Sequence, residues 1–375
     1  MKKLRLVAIN LLVLLGMLVV VELIFGSWIF QRNSLNHINV ISDQVITYNI
    51  EDLYESEDPM VTYSRDEYGL RGTSAFNKPE EIDILTVGGS TTDQVLITDG
   101  LTWQDVLEQG LKEQGYDLNL SNGGLDGQST YGHIRNFDLW YPHIPGLKPK
   151  FIMYYVGIND FFREDKTIRS DIIYKDSIDR PEDVGFLKSI KYQIEDKSAL
   201  YHLRRKVLGL MTAHKRSVLH NKIDFASQKY VTEGNLDSVQ MEAYLQGRVS
   251  TYRNRLRTLV GLSKDLGATP IFITQPSVKY QYGPNGQILG VEEAEAYGDF
   301  EINGIDYFNL LTRMNQEVYN VSVEENVPFI ELTKRDIWEY EDFYDWFHMT
   351  PAGAKKLGEV LTDELTKRIL PVYID

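Results

Sequence analysis

Three polar features follow apolar runs of the sequence, at points where a buried strand would end. Ser90 comes after IDILTV (82–87) and two glycines, in the stretch VGGSTTDQ. The glycine-rich turn NGG (122–124) follows LNLS, and Asn159 follows FIMYYV (151–156). A hydroxyl, a turn whose backbone N–H groups can approach a ligand and an amide side chain are the parts of an oxyanion hole beside a nucleophile. Ser90 has a second interpretation, because serine is also a common N-cap where a loop enters a helix.

A base for this serine is offered by the stretch DFYDWFHMTPAG, residues 342 to 353. A serine is a poor nucleophile at neutral pH and needs a histidine to take its proton. Asp345 and His348 are three residues apart, so within one turn the carboxylate can reach and orient the imidazole. Pro351 is expected to begin the helix that follows. The alternative is that Asp345 and His348 form an ordinary surface pair.

The elements that must position these residues alternate between strand and helix patterns. Apolar residues recur every three or four positions in TWQDVLEQGLKEQG (102–115) and YRNRLRTLVGLSKDLG (252–267), which predicts helices. Continuous apolar strands separated by helices indicate a parallel sheet covered on both faces. We therefore predict an α/β fold, doubly wound and flavodoxin-like, whose ligand site lies outside the carboxyl ends of the strands. The five predicted strands are 82–87, 118–122, 151–156, 270–274 and 328–332.

The order Gly-Gly-Ser, Asn-x-Gly, Gly-x-Asn-Asp and Asp-x-x-His on successive strand ends resembles the SGNH (GDSL-like) hydrolase superfamily. The resemblance extends from about residue 82 to 370. The upstream YGLRG (68–72) also resembles leaders of membrane-anchored bacterial members. Gly89 is a departure, since an aspartate is common at this position in the family. The difference affects the expected geometry of the loop and leaves Ser90 as the expected nucleophile.

The resemblance implies a role for each residue of the candidate site. Ser90 would be the nucleophile, with His348 as general base and Asp345 orienting it. The oxyanion would be bound by the backbone N–H groups of Ser90 and Gly124 and by the side chain of Asn159. No metal or organic cofactor is implied. Gln275, at the end of the fourth strand, either lines the pocket or is structural.

The N-terminus predicts a membrane anchor. MKKLR precedes an apolar run over 6–30 whose only charge is Glu22, and roughly 20 apolar residues cross a bilayer. The basic residues before the run favour a cytoplasmic N-terminus and an exported remainder. A cleaved signal peptide is the alternative, but the run is long for one and no small-x-small cleavage site follows it.

We expect three segments along the chain: an anchor over 1–30, a connector over 31–80 that packs on the domain, and an SGNH-like domain over 81–375. About ninety residues separate the third strand from the helix before the fourth, which predicts a helical insertion or lid at about 163–245. Within it, residues 202–222 carry six Lys or Arg and no acid. This run is either a solvated helix face or a surface that rests on anionic lipid or polymer.

Composition excludes several classes of function. The chain of 375 residues has a formal net charge of −15, which argues against a nucleic-acid partner because phosphate binding needs a basic face. It has no cysteine, so disulfides, thiolate metal sites and cysteine nucleophiles are excluded. The histidines outside the candidate site show no metal-ligand spacing.

The sequence thus predicts a serine esterase, anchored in the membrane through residues 6–30 with its catalytic domain outside the cytoplasm. The expected substrate is an acyl ester of a carbohydrate, such as an O-acetyl ester, or of a lipid. An O-acyltransferase for a surface polysaccharide would use the same site. A phospholipase that reaches lipid through the basic run and a non-catalytic polymer-binding module are further alternatives.

The topology predicts the outcome of a protection experiment. Protease added to intact spheroplasts should digest the domain, because the basic flank retains the N-terminus in the cytoplasm while the remainder is exported. Immunoblotting against a C-terminal epitope measures the loss, with a cytoplasmic protein as the protected control. Full protection of the domain, or its release into the soluble fraction, contradicts an uncleaved anchor.

Overall fold

The computed structural model describes residues 2–26, 28–29, 35, 40–162, 190, 194, 197–201, 203–204 and 222–374. The predicted insertion at 163–245 and most of its basic run therefore lie outside the described residues, apart from a few positions and the stretch from 222 onward.

Numbered in chain order, the helices are α1 Lys2–Phe25, α2 Ser90–Asp93, α3 Trp103–Glu113, α4 Thr130–Leu139, α5 Ile158–Phe162, α6 Ser238–Leu245, α7 Arg248–Asp265, α8 Gly304–Glu325, α9 Pro351–Glu364 and α10 Leu370–Tyr373. The strands are β1 Gln44–Asn49, β2 Met60–Arg65, β3 Ile84–Gly88, β4 Leu120–Asn122, β5 Phe151–Tyr155, β6 Tyr230–Val231, β7 Thr269–Ile273, β8 Tyr280–Tyr282, β9 Ile288–Val291, β10 Glu295–Tyr297, β11 Phe300–Ile302 and β12 Phe329–Ile330.

The chain divides into two compact units, one formed by 1–39 with 174–217 and the other by 40–173 with 218–375. In the second unit, five strands form a sheet in the order β12-β7-β5-β3-β4. All four pairings between them are parallel. This is the flavodoxin order, and each of its strands matches one of the five predicted apolar runs. The predicted fold class is confirmed.

The sheet is covered on both faces, as its continuous apolar strands require. Every residue of β3 and β5 is buried. On one face, Ile84 and Met153 join a core cluster with Leu107 of α3 and Leu357 of α9. On the other face, the Tyr154 hydroxyl lies 2.7 Å from the hydroxyl of Ser263, in α7. Neighbouring residues of a strand thus enter different cores, which is the alternation that a pleated sheet imposes.

Local signals in the sequence set where the helices begin. Thr102 caps α3 in a capping box with Asp105, whose side chain accepts from the Thr102 N–H. Thr350 caps α9, and Pro351 occupies its first turn as predicted. The two caps therefore set the start of α3, which follows Ser90 in the sequence, and of α9, which follows His348.

Three small β elements were not predicted. The segment expected to be an irregular connector contains the antiparallel hairpin β1–β2, in which Gln44 pairs with Arg65. Strands β6, β9 and β8 form a second small sheet, and β10–β11 form a hairpin. The stretch from 222 to 245, expected to be helical, contains β6 as well as α6. Strands β6, β8, β10 and β11 have two or three residues, fewer than the four over which an alternation of polar and apolar residues can be recognised.

The first unit contains α1, which is long and apolar enough over Arg5–Phe25 to cross a membrane. Its only acid, Glu22, accepts hydrogen bonds from the Ser198 hydroxyl at 2.5 Å and from the Ala199 and Leu200 N–H groups at 3.0 and 3.1 Å. The Trp28 indole N–H also donates to it at 2.8 Å. The one carboxylate of the apolar run is therefore fully engaged by partners within its own unit.

Two helical glycines predict opposite effects of the same substitution. A Cβ at Gly358 in α9 would lie 2.6 Å from the Val106 side chain and 2.8 Å from the Trp103 carbonyl, whereas a Cβ at Gly261 in α7 meets nothing within 4 Å. Gly358→Ala should therefore lower the free energy of unfolding by about 1–3 kcal/mol. Gly261→Ala should raise it by up to about 1 kcal/mol. Urea unfolding of the detergent-solubilised chain measures both, and equal effects would contradict the packing of α3 on α9.

Candidate active site

Ser90 is the first residue of α2 and lies directly beyond the end of β3. The N-cap of this helix is Gly89, so Ser90 does not have the capping role that was its alternative interpretation. Its Oγ lies 2.7 Å from Nε2 of His348. The two residues are 258 positions apart in the sequence, and the sheet brings them together at its carboxyl edge.

Gly88 and Gly89 are needed for close approach rather than for an unusual backbone conformation. The φ of Gly89 is −88°, which other residues can adopt. A Cβ at Gly88 would lie 2.6 Å from the Tyr155 carbonyl, and a Cβ at Gly89 would overlap Nδ2 of Asn159. A larger side chain at position 89 would therefore require Asn159 to move.

His348 and Asp345 form a compact turn whose geometry fixes the imidazole. Nδ1 of His348 lies 2.7 and 2.9 Å from the two Asp345 carboxylate oxygens. The backbone N–H groups of Phe347 and His348 also donate to this carboxylate, at 2.9 and 2.8 Å. A carboxylate can only accept, so Nδ1 carries the proton and Nε2 is left to accept from the Ser90 hydroxyl. Both side chains are 14% exposed, which leaves the pair within reach of a substrate.

Asn159 and the glycine turn after β4 lie beside the serine. The Asn159 side-chain amide donates to the Gln128 carbonyl at 2.9 Å, and the Leu125 N–H donates to the Gly88 carbonyl at 3.0 Å. The Gly124 N–H donates to Oδ1 of Asn122 at 2.8 Å. Because one N–H makes one strong hydrogen bond, this contact competes with the oxyanion role predicted for Gly124.

Gly127, in the same turn, was not singled out by sequence reasoning. It has a φ of +70°, a conformation that favours glycine. In the described part of the chain its N–H has no bonded acceptor. The signal that could have found it is the third glycine of the stretch GGLDGQ, three residues beyond Gly124.

Asp160, next to Asn159, fixes the start of α5 against α4 and α7. Its carboxylate accepts from the Thr130 N–H at 3.1 Å and from the Arg255 guanidinium at 3.1 Å. Burial raises the pKa of Asp160, and the charge of Arg255 opposes that shift. Its partners hold the turn that carries Asn159.

Two buried arginines from the segment before the sheet were missed by sequence reasoning. Arg65 donates to Asp93 of α2 at 2.7 Å and to the Gly124 carbonyl at 2.5 Å. Arg71 donates to the Asp93 and Gln94 carbonyls at 2.7 and 2.8 Å. Each arginine is 2% exposed. The segment before β3 therefore holds both the helix of Ser90 and the glycine turn.

A cluster of aromatic rings surrounds Phe347, the residue before His348. Phe162, at the end of α5, lies 5.3 Å from both the Phe347 and the Tyr297 rings, and Tyr307 lies beneath them, 5.6 Å from Phe347. We call Phe162, Tyr297, Tyr307 and Phe347 the aromatic wall. The ammonium of Lys279 lies 5.8 Å from the Phe347 ring centroid and is paired with Glu295 at 2.6 Å. Burial lowers the pKa of Lys279, and Glu295 opposes that shift.

Metal ligands are not clustered in the described residues, where no group of three or more His, Asp or Glu side chains could hold an ion. His133, one of the histidines that lacked metal spacing, is buried in α4, with Nδ1 3.0 Å from the Gln128 side-chain oxygen. Burial lowers the pKa of His133 to about 3.

Comparison with known proteins identifies similar solved structures, whereas no family model and no curated protein matches the chain. TesA is 13% identical, with a TM-score of 0.40 over 76% of this chain and 99% of its own. The psychrotrophic esterase EstA from Pseudoalteromonas sp. is 12% identical, with a TM-score of 0.39 over 76% and 96%. A variant of Axe2, an acetyl xylan esterase from Geobacillus stearothermophilus, is 13% identical, with a TM-score of 0.41 over 79% and 96%. Scores of this size carry no assignment of function, which has to be argued from the site itself.

The depressed pKa of His133 predicts a loss of stability in acid. The unfolded chain binds a proton at this histidine near pH 6.5, whereas the folded chain binds it only near pH 3. The stability is therefore full above about pH 6.5 and falls as the pH drops towards 3, by up to about 1.4 kcal/mol per pH unit. Urea unfolding of the parent between pH 7 and 4 should show this slope, and His133→Gln should flatten it. His143→Gln, at a partly exposed histidine, is the control, and equal slopes in parent and His133→Gln would contradict the prediction.

Proposed function

We propose that this protein is a serine esterase of the SGNH (GDSL-like) type. The observation that carries the proposal is the continuous hydrogen-bonded chain from Asp345 through His348 to Ser90. It lies where the carboxyl ends of parallel strands meet, which is the usual ligand site of such sheets. Its order of acid, imidazole and hydroxyl is that of a catalytic triad.

In the proposed mechanism, the Ser90 Oγ attacks the ester carbonyl carbon while Nε2 of His348 takes the hydroxyl proton. Asp345 holds the Nδ1–H tautomer and stabilises the imidazolium that forms. The tetrahedral intermediate collapses, and the alcohol leaves with the proton from His348. A water molecule then attacks the acyl-enzyme with His348 again as base, which releases the carboxylic acid and restores Ser90.

The negative charge on the intermediate needs donors that are already in place. The Ser90 N–H belongs to the first residue of α2, so it has no acceptor within that helix. Asn159 has a second amide hydrogen besides the one donated to Gln128. We propose Gly127 as the third donor, in place of Gly124, because the Gly124 N–H is bonded to Asn122.

The aromatic wall supports a substrate with an extended apolar or sugar face beside the ester. Aromatic rings stack on the apolar face of a sugar ring as well as on an acyl chain, so carbohydrate O-acetyl esters and lipid esters are both proposed substrates. We further propose that α1 anchors the protein with its N-terminus in the cytoplasm and the catalytic unit outside. The basic residues before the apolar run support that orientation.

A fluorophosphonate probe tests the proposed class directly. The probe should label the detergent-solubilised parent at Ser90, because the histidine makes its oxygen nucleophilic. Peptide mapping locates the adduct, and Ser90→Ala is the control. Hydrolysis of an acetylated oligosaccharide and of a short-chain lipid ester then separates the two substrate classes. A parent that neither labels nor hydrolyses esters would leave the polymer-binding module as the better interpretation.

Substitutions of the site residues should lower the esterase activity by different amounts. Ser90→Ala and His348→Ala should each remove nearly all activity, because neither the nucleophile nor the base has a substitute. Asn159→Ala should lower kcat by about 10²–10³, since other donors remain. Asp345→Asn should cost up to about 10⁴ because it disfavours the required tautomer.

Steady-state kinetics with an activated acetyl ester measures this ranking, with circular dichroism to check folding. Members of one catalytic unit act together, so Ser90→Ala combined with His348→Ala should be little worse than either variant alone. Undiminished turnover by a folded Ser90→Ala chain would falsify the mechanism.

A further inference from the structure

The short segment that follows β7 contacts all three loops of the candidate site. Gln275, Ser277 and Lys279 alternate along it and are 3%, 4% and 6% exposed. Buried polar side chains such as these need hydrogen-bonding or charged partners. Their partners include Thr91 next to Ser90, Ile158 next to Asn159 and Trp346 next to Asp345.

We propose that Gln275 is a positioning residue that sets the separation between the nucleophile and Asn159. Its Nε2 donates to the Thr91 hydroxyl at 2.6 Å, and its Oε1 accepts from the Ile158 N–H at 2.7 Å. Thr91 follows Ser90, and Ile158 precedes Asn159. One rigid amide therefore spans the two turns that carry proposed oxyanion donors. This inference rests on the esterase function proposed above.

The two turns need an external link because their helices are very short. α2 has four residues and α5 has five, so neither makes enough internal hydrogen bonds to hold its own position. The Ile158 N–H is the first donor of α5 and has no acceptor within that helix. Gln275 supplies that acceptor from the segment that follows β7. Gly157 enters the same turn with a φ of +133°, so its backbone adds little restraint.

The rest of the segment after β7 also holds the histidine loop. The Ser277 hydroxyl and the Val278 N–H both donate to the Trp346 carbonyl, at 3.0 and 3.2 Å. The Lys279 ammonium lies 5.8 Å from the Trp346 ring centroid. Displacement of Gln275 would therefore leave the histidine loop attached while the nucleophile and Asn159 turns separate. Substitution of Gln275 should therefore misalign the oxyanion donors with the ester and leave the basicity of His348 unchanged.

The first test is Gln275→Met, which keeps the length of the side chain and removes both hydrogen bonds. A donor misplaced by about 1 Å costs on the order of 10²-fold in rate, so kcat should fall about 10- to 100-fold with KM little changed. Gln104→Met is the matched control. Gln104 is also 3% exposed and makes two hydrogen bonds, to Thr86 and to the Thr92 carbonyl of α2. It therefore supports the helix of Ser90 as Gln275 does, but it does not link that helix to the Asn159 turn. It should lose a similar amount of thermal stability and keep kcat within about threefold.

The second test is the pH profile of Gln275→Glu. A protonated glutamic acid can still accept from Ile158 and donate to Thr91, so this variant should approach the parent's activity in mild acid. Once ionised, it places a negative charge beside the developing oxyanion and should lose activity. The profile of kcat/KM should therefore fall at alkaline pH, where the parent remains active.

The outcomes separate this inference from the function on which it rests. A parent that neither labels with fluorophosphonate nor hydrolyses esters removes the esterase, and the positioning role with it. An active parent whose Gln275→Met variant retains kcat, or loses it only as much as Gln104→Met does, overturns the positioning role alone. So does a Gln275→Glu profile with the same shape as the parent's.

Discussion

The candidate site depends on Arg65, a buried guanidinium that comes from outside the sheet. Its donors reach a carboxylate in the helix of Ser90 and a carbonyl in the glycine turn, the two neighbouring strand ends that must be in register. Loss of one partner from a buried pair of this kind costs about 3–5 kcal/mol, because it leaves an uncompensated charge. The segment before β3 is for this reason part of the framework of the candidate site.

Around that interaction, the site is built from short pieces held by side chains of other elements. Asp160 is fixed by Thr130 and Arg255, and Asp345 by the backbone of its own turn. The parallel sheet supplies only the approximate position of each strand end. Buried polar contacts then supply the final placement, to fractions of an ångström. Such networks are costly when half satisfied, which explains why so many of their members are fully bonded.

The sequence predicted the five strands because short, largely apolar runs alternate with helices, and the flavodoxin-like class implied their order. It also predicted which strand ends carry the site, since parallel strands share one carboxyl edge. The choice between Gly124 and Gly127 depends on the direction of a single N–H, which the bond to Asn122 sets for Gly124 and the spacing of glycines does not. Arg65 and Arg71 could not be recognised, because an arginine in a polar segment is ordinarily solvated. Their burial follows from partners that are distant in the chain.

The hydrogen bonds of Glu22 can form only late in synthesis of the chain. Its acceptor oxygens are engaged by residues 198–200, which are synthesised about 176 residues later. At about 5–20 residues per second, the ribosome needs on the order of 10 to 35 seconds to reach them. During that interval the carboxylate lacks the three donors of residues 198–200, and a charge without its partners is unfavourable in hydrocarbon. For the membrane anchor proposed above, a position of Glu22 near the headgroups, three residues from the end of α1, keeps its charge hydrated until those residues are synthesised.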